Sequence, residues 1–187
     1  MNDILSDITD DTDWATKESL NQNVFKLYRI NVNAQTNILH NVEVQKELDI
    51  ESPVGFVFVS NLKFQPKISG SKLDAIRKIV IIKSKDKFKD MLEDNNIQNV
   101  KHKGSAKKNI RNTRVDTHKY KGSVVMDEQS YSVESYCMIF HNGSDYYVVG
   151  LAEPAGNINQ VFNTSGIGDF EPTEVTGDIV LDIITSS

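Results

Sequence analysis

The stretch SVESYCMIFHNGSDYYVVGLAEP, residues 132–154, decides the fold because it has the complete pattern of a β-hairpin. Its first half alternates two sets of apolar side chains that would occupy opposite faces of a strand: Tyr136, Met138 and Phe140 on one face, and Val133, Cys137 and Ile139 on the other. The dipeptide Asn142-Gly143 is the strongest short-range signal for a hairpin turn. The returning segment is apolar on both faces until Pro154, which predicts a strand in the middle of a sheet.

Further strands are predicted on both sides of this hairpin. The sequence VGFVFVSNLKF, residues 54–64, is rich in β-branched and aromatic side chains. It places Phe58 and Leu62 on one face of a strand and Val57 and Val59 on the other. The remaining candidate strands are residues 24–31 and 38–44, joined by a polar turn at 31–37, together with residues 122–126 and 178–184.

Two neighbouring segments carry helical signals. Residues 71–83 fit a helix with Ser71 as its N-cap, but the apolar run IVII within them fits a short central strand equally well, so both alternatives stay open. A helix of about eleven residues is predicted directly afterwards, and it must pack on a sheet because so short a helix is marginal alone. Its signals are Ser84 at the N-cap position and an apolar stripe formed by Phe88, Met91 and Leu92.

These elements predict an α+β fold in which an antiparallel β-sheet carries one or two helices on one face. Residues 1–22 are acidic and poor in apolar side chains, and they predict a flexible N-terminal arm. Residues 23–187 are expected to form one domain. No apolar run reaches the length of a membrane-spanning helix, and the N-terminus lacks the pattern of a secretory signal. With a single cysteine there is no internal disulfide, and a soluble cytoplasmic protein is expected.

Charge is divided between segments of the chain, whose formal net charge is -5. Residues 1–62 carry 4 basic and 10 acidic side chains, and residues 63–121 carry 17 basic and 6 acidic ones. Residues 122–187 carry 10 acidic side chains and no Lys or Arg. A basic centre between acidic flanks is a signal about partners rather than about the fold. Mutual neutralisation of these segments in the folded sheet is the simpler explanation and stays open beside it.

The basic residues concentrate in KHKGSAKKNIRNTRVDTHKYK, residues 101–121, which is expected to form a strand, a loop and a second strand at a sheet edge. Eight side chains there form a candidate binding surface for an acidic protein or a polyanion: Lys101, Lys103, Lys107, Lys108, Arg111, Arg114, Lys119 and Lys121. Tyr120 is the single Phe, Tyr or Trp in the run, so a base-stacking reader of single strands is not expected, while non-specific nucleic-acid binding stays open. Lysines also protect exposed sheet edges, which accounts for part of the cluster without any ligand.

The sequence offers no combination of residues that indicates an enzyme. Cys137 lies in an alternating strand, where a small buried hydrophobic side chain is expected. The loop SGIGD at residues 165–169 lacks the lysine of a phosphate-binding loop. The histidines have no metal-ligand spacing: they are His40, His102, His118 and His141. Neither a cofactor nor a metal is therefore expected.

The order of the elements resembles a known architecture. A strand (VGFVFVSNLKFQP), a helix (SKDKFKDMLED), a basic link with a glycine (NVKHKGSAKKN), the segment YKGSVV and the hairpin at 132–154 follow one another over about residues 54–155. This order resembles the PsbP/Mog1-like domains, and in particular an uncharacterised haloarchaeal protein family with such an α+β layout. The resemblance implies an archaeal source and a module that docks on protein partners. It assigns no functional residue.

Three classes of function follow. The first is a non-enzymatic module that binds a protein partner through the basic surface of residues 101–121. The alternative is a structural or assembly protein, for instance of a virus or mobile element, in which the acidic arm of one copy meets the basic edge of the next to form a homo-oligomer. An enzyme is the third class and would need a pocket with converging titratable groups. No membrane contact is expected.

Overall fold

Seven antiparallel strands form one sheet in the computed structural model, which describes residues 14–41, 55–68, 70–126, 128–154, 179–180 and 183–185. The strands are β1 (Trp14–Leu27), β2 (Ile30–Asn41), β3 (Phe56–Gln65), β4 (Gln98–Ile110), β5 (Thr113–Met126), β6 (Gln129–Asn142) and β7 (Asp145–Pro154). Helix α1 (Ser71–Asp94) lies between β3 and β4 in the chain. The strand order is β1-β2-β3-β7-β6-β5-β4, so β1 and β4 are the two edges. The predicted antiparallel α+β fold is confirmed at this level.

The centre of the sheet is buried on both faces. In β3, Phe58 and Leu62 belong to one apolar cluster, whereas Val57 and Val59 belong to another on the opposite face. Strand β7 pairs with β3 on one side and with β6 on the other, as expected for a strand that is apolar on both faces. The prediction that the segment before Pro154 is a central strand is therefore confirmed.

Helix α1 covers the first face and settles the alternatives for residues 71–83, which are helical throughout. Its buried side chains recur at helical spacing from end to end: Leu73, Val80, Ser84, Phe88 and Leu92. The apolar run that also fitted a strand leaves Ile79 and Ile82 on the exposed side of this helix. The prediction of a helix start at Ser84 is wrong, because the apolar stripe continues through that position and Ser84 is buried in the middle of the helix.

The second face is covered by the C-terminal helical segment, by which we mean residues 179–180 and 183–185. Ile179, Val180 and Ile183 pack in the cluster of the second face, and the Nδ2 atom of Asn142 donates a hydrogen bond to the Ile183 carbonyl at 2.9 Å. The strand predicted at residues 178–184 is therefore wrong wherever the structure describes it. Apolar residues at 179, 180, 183 and 184 also fit one face of a helix.

The first hairpin differs from its prediction in both turn and length. Its turn lies at Tyr28 and Arg29, so the polar residues 31–37, predicted as a turn, belong to β2. Asparagine favours turns locally, but backbone pairing with β1 and β3 outweighs that preference here. The same pairing places residues 14–22, predicted as part of a flexible arm, in β1. Residues 1–13 and the loop at 165–169 lie outside the described residues.

The predicted hairpin of β6 and β7 is confirmed, with its turn displaced by one residue. Asn142 pairs with Asp145, so the two-residue loop is Gly143-Ser144. A positive φ of 57° at Gly143, the first central position, is the pattern of a type II′ turn. No helix in the described part of the chain is long and apolar enough to cross a membrane.

Candidate binding surface: the basic edge

The predicted basic surface lies on the hairpin of β4 and β5 at one edge of the sheet. The two strands meet in a tight turn at Arg111 and Asn112, whose φ values of 44° and 67° are those of a type I′ turn. Asparagine adopts this left-handed conformation more readily than most residues. Within the described residues β4 pairs with β5 alone, so the outer backbone groups of β4 face away from the sheet. The strand-loop-strand geometry expected for this stretch is present.

The register of this hairpin divides the basic residues between the two faces. Asp116 contacts α1, so Lys107, which lies opposite it in β4, is on the α1 face. Lys108 lies opposite Val115, which belongs to the cluster of the second face. By the same alternation the second face also carries Lys101, Lys119 and Lys121, whereas Arg114 is on the α1 face. Arg111 is in the turn. Lys103 is at a register shift between His102 and Gly104. The structure therefore brings all eight residues to one edge but not to one face.

Two of the eight side chains already have acidic partners. The Lys119 Nζ atom lies 2.5 Å from the Glu134 carboxylate and 5.2 Å from the centre of the Tyr136 ring. Its hydrogen bond to Glu134 raises the pKa of Lys119. Burial raises the pKa of Glu134, but the hydrogen bond and charge of Lys119 outweigh it, so that the pKa of Glu134 is lowered overall. Arg114 lies 3.9 Å from Asp116.

The other six basic side chains are exposed and take part in no ion pair with any carboxylate in the described part of the chain. We call these six residues the basic edge: Lys101, Lys103, Lys107, Lys108, Arg111 and Lys121. Lys121 lies opposite Glu134 and helps to lower the pKa of that carboxyl without pairing with it. Within the described residues, the basic edge is thus a set of cations whose charge no ion pair neutralises.

A buried ion pair fixes this hairpin to α1. The Arg77 guanidinium donates hydrogen bonds from Nε and Nη2 to the same Asp116 oxygen, and Nη2 also donates to the Arg114 carbonyl at 2.8 Å. Both side chains of the pair are nearly buried, at 11% and 5% exposure. Because a buried carboxylate needs both a countercharge and hydrogen bonds, Arg77 supplies what Asp116 requires.

A serine and two histidines meet beside the basic edge, and the sequence did not predict this cluster. The Ser105 hydroxyl lies 2.8 Å from Nδ1 of His118 and 3.1 Å from Nε2 of His102. The His102 ring packs edge-on against Tyr120, which packs in the same way against Phe88 of α1. The turn at Arg111-Asn112 would have revealed the cluster, because it sets the register that pairs Ser105 with His118. Without the position of that turn, the sequence does not show that Ser105, His102 and His118 lie close together.

Both histidines are neutral at physiological pH. Burial, followed by the charge of Lys85 and the neighbouring His102, lowers the pKa of His118 to about 4, and Asp116 offsets only part of this effect. Burial and Lys85 also lower the pKa of His102. Neutral rings can accept a hydrogen bond from the serine hydroxyl or donate one to it, so the cluster joins β4 to β5 without adding charge to the basic edge.

Among the described residues, the serine–histidine contact lacks one part of a catalytic site. A serine nucleophile needs a histidine that a third group orients, together with donors that face its oxyanion. The atom that such a group would hold, Nε2 of His118, is buried and has no hydrogen-bond partner among the described residues. We therefore explain the cluster as a polar contact between strands.

The remaining candidates from the sequence have structural explanations. Cys137 is fully buried in the first-face cluster, where burial raises the pKa of its thiol and keeps it protonated. His141 is half-buried, with Nε2 lying 3.4 Å from Asp74 of α1. In the part of the chain that the structure describes, no group of three His, Cys, Asp or Glu side chains is placed to hold a metal ion.

The described residues define an α+β fold with a seven-stranded antiparallel sheet, a helix on one face and a lysine-rich edge. The chain matches the family described as "Domain of unknown function (DUF6517)" over residues 4–181, and it belongs to that family. The comparison with curated proteins and the comparison with solved structures each found no match. The resemblance to the PsbP/Mog1-like domains stays a prediction.

Proposed function

We propose that this protein is a non-enzymatic module that binds an acidic protein partner through the basic edge. The observation that carries the proposal is the charge state of this hairpin, where six exposed cations take part in no ion pair within the described residues. Holding like charges together on one rigid hairpin is unfavourable by itself, and an acidic partner would relieve that repulsion.

The geometry favours an extended segment of the partner lying beside β4. An edge strand presents unpaired backbone groups, and an added strand satisfies them while its side chains contact those of the edge. Lysines on both faces of β4, such as Lys107 and Lys108, would meet acidic side chains on either side of such a segment. A duplex nucleic acid lying against one face of the sheet would meet only part of the basic edge, because its cations are divided between two faces.

The proposal also includes the more specific predictions about fold relationship, cellular location and source. A PsbP/Mog1-like relationship would agree with docking on a protein partner, because the resemblance implies such modules. A cytoplasmic location and an archaeal source are part of it on the sequence grounds given above. Self-association, in which an acidic segment of a second copy occupies the basic edge, is the alternative, and the test below measures it.

The test compares the binding of two probes to the full chain, a labelled extended peptide rich in Glu and Asp and a duplex oligonucleotide, at two salt concentrations. The variant Lys107→Glu/Lys108→Glu/Arg111→Glu reverses three charges of the basic edge. The matched control Lys26→Glu/Lys63→Glu/Lys67→Glu reverses three exposed lysines on and after β1 and β3, on the other half of the sheet. Circular dichroism confirms that both variants are folded.

We expect the wild type to bind the acidic peptide and the edge variant to lose at least tenfold in affinity, while the control retains most of it. Stronger binding of the duplex than of the peptide would show that the ligand of the basic edge is a polyanion rather than an acidic protein. In that case log affinity should fall by about 0.9 per neutralised phosphate for each log unit of salt. A molecular mass by light scattering that doubles at low salt would favour self-association. Equal losses in both variants would contradict the proposal.

A further inference from the structure

A cavity lies between α1 and the β1–β3 half of the sheet, away from the basic edge. Its volume is about 150 Å³, and it opens to solvent on one side. Most of its wall is apolar and comes from both layers of the fold, including Leu20, Phe25, Ala34, Phe58, Phe88 and Met91. Packed protein interiors leave few voids larger than a water molecule, so a space of this size between a helix and a sheet is unusual.

Three hydroxyl groups interrupt this apolar wall. Those of Thr36 and Ser60 lie 2.7 Å apart and satisfy each other. Ser84 of α1 also lines the cavity, is only 5% exposed, and has an Oγ atom without a hydrogen-bond partner among the described residues. A buried hydroxyl that lacks a partner is unfavourable and calls for an explanation. A ligand in the cavity would provide the missing partner.

One charged side chain lies in the same wall, one helical turn after Ser84. Lys87 lines the cavity and is the sole ionisable group among its described lining residues. Its Nζ atom makes one long contact, at 3.8 Å, with Asp90, and both of these side chains are more than half exposed. Residues three apart on a helix lie on the same side, so the Ser84 hydroxyl and the Lys87 ammonium can both contact one polar group of a ligand.

We propose that this cavity binds a small monocarboxylate, whose apolar body fills the space between α1 and the sheet and whose carboxylate accepts a hydrogen bond from Ser84 and faces Lys87. The volume sets the size of the apolar body, since an apolar cavity of about 150 Å³ accepts benzene. The charge of Lys87 selects an anion over a cation. An apolar wall with a few convergent polar groups is the usual composition of a small-molecule site.

The test measures the binding of hexanoate and of its neutral counterpart hexan-1-ol to the full chain at pH 7, by titration followed in protein amide NMR spectra. Three variants separate the contributions: Ser84→Ala removes the hydroxyl, Lys87→Gln removes the charge, and Ala34→Leu fills the space. Lys83→Gln is the matched control, because Lys83 is exposed on the same helix and does not line the cavity.

Hexanoate is expected to bind the wild type and to shift amides of residues around the cavity. Ser84→Ala should weaken it about tenfold, as for a lost hydrogen bond to a charged group. Lys87→Gln should weaken hexanoate two- to fivefold and leave hexan-1-ol unchanged, since an exposed charge contributes little. Ala34→Leu should abolish binding of both, and Lys83→Gln should change neither.

Thermal unfolding separates this role from a structural one. Ser84→Ala removes an unsatisfied buried hydroxyl and places a better helix former in α1, so the ligand-free variant should unfold at a higher temperature than the wild type. Higher stability together with weaker hexanoate binding is the signature of a site retained for a ligand. The proposal is overturned by an absence of hexanoate binding at millimolar concentration, by full affinity in Ser84→Ala, or by equal effects of Lys83→Gln and Lys87→Gln.

Discussion

The two edges of the sheet are both formed by antiparallel hairpins with two-residue turns, but the two hairpins differ strongly in charge. The β1–β2 hairpin, residues 14–41, and the β4–β5 hairpin, residues 98–126, lie at opposite ends of the strand order. The first contains 3 Lys or Arg residues and 1 Glu, and the second contains 8 Lys or Arg residues and 1 Asp. Each hairpin has register shifts between its strands. An edge position in this sheet therefore does not require a row of lysines.

The difference in charge between the two edges bears on whether edge protection alone explains the lysines of the basic edge. Bulges and charged side chains are alternative ways to keep an edge strand from pairing with another chain. The β1–β2 hairpin has bulges and exposes several uncharged amides, such as Asn21 and Gln22, together with few charged side chains. The β4–β5 hairpin has bulges and, in addition, six cations that form no ion pair in the part of the chain that the structure describes. This difference in charge between the two edges of one sheet supports the proposal of a partner at the basic edge.

The largest expected effect concerns the attachment of the basic hairpin to α1. Arg77→Met leaves the buried Asp116 carboxylate with only the more distant Arg114 as a countercharge, and the free energy of unfolding should fall by about 3–4 kcal/mol. Urea denaturation measures this change. Lys78→Met, at an exposed neighbouring position of α1, is the control and should change little. Arg77→Met combined with Asp116→Leu should recover much of the loss, and a double variant no more stable than Arg77→Met would contradict this account.

The second effect compares one glycine at the centre of the sheet with one at its edge. A Cβ atom on Gly150 of β7 would overlap the ring of Phe58, which packs directly over it, so Gly150→Ala should cost about 3 kcal/mol. A Cβ atom on Gly104 of β4 would meet nothing within 4 Å, so Gly104→Ala should change stability by less than about 0.5 kcal/mol. Chemical denaturation of both variants measures the contrast. Similar losses would show that the edge is packed as tightly as the centre.

The same contrast explains what could be predicted from the sequence. Central strands such as β3 and β7 bury both faces, and their apolar patterns predicted them correctly. Residues 31–37 belong to β2 because they pair with β1 and β3, and the local sequence contains no pattern that predicts this pairing. The eight residues of the candidate binding surface stay a prediction, and their division between two faces depends on the turn at Arg111-Asn112. The cavity beside Ser84 depends on the packing of four strands and a helix, whereas the sequence suggested that Ser84 is the N-cap of a helix.

The third effect is a dependence of stability on pH that arises at the basic hairpin. The pKa of His118 is about 4 in the folded protein and about 6.5 in the unfolded chain, so below pH 6.5 the unfolded state binds more protons. The free energy of unfolding should therefore fall by about 2 kcal/mol between pH 7 and pH 5 through this group. Burial is the main cause of this low pKa; Lys85 of α1 and His102 of β4 lower it further, and Asp116 of β5 opposes them.

The measurement is urea denaturation at pH 7, 6 and 5 for the wild type and for His118→Asn. An asparagine amide can still meet the Ser105 hydroxyl but does not titrate, so the loss of stability on acidification should be smaller in the variant. His141→Asn serves as the control at the β6–β7 hairpin, where His141 is half-buried. An unchanged slope in His118→Asn would assign the acid sensitivity to other groups.

The smallest effect distinguishes a paired lysine from an unpaired one on the same strand. Lys119→Ala removes the partner of Glu134, and because both side chains are partly exposed it should cost less than about 1 kcal/mol. Lys121→Ala, from the basic edge, should cost close to nothing or stabilise slightly by reducing repulsion. In 1 M salt the Lys119→Ala loss should shrink as screening weakens the pair.

For binding of the acidic peptide the order should reverse, with Lys121→Ala weakening it more than Lys119→Ala, because a cation that stabilises the fold through its own carboxylate is less available to a partner than one that does not. Equal binding losses would show that the ion pair opens on binding, and a larger loss in Lys119→Ala would remove the distinction between paired and unpaired cations on which the basic edge is defined.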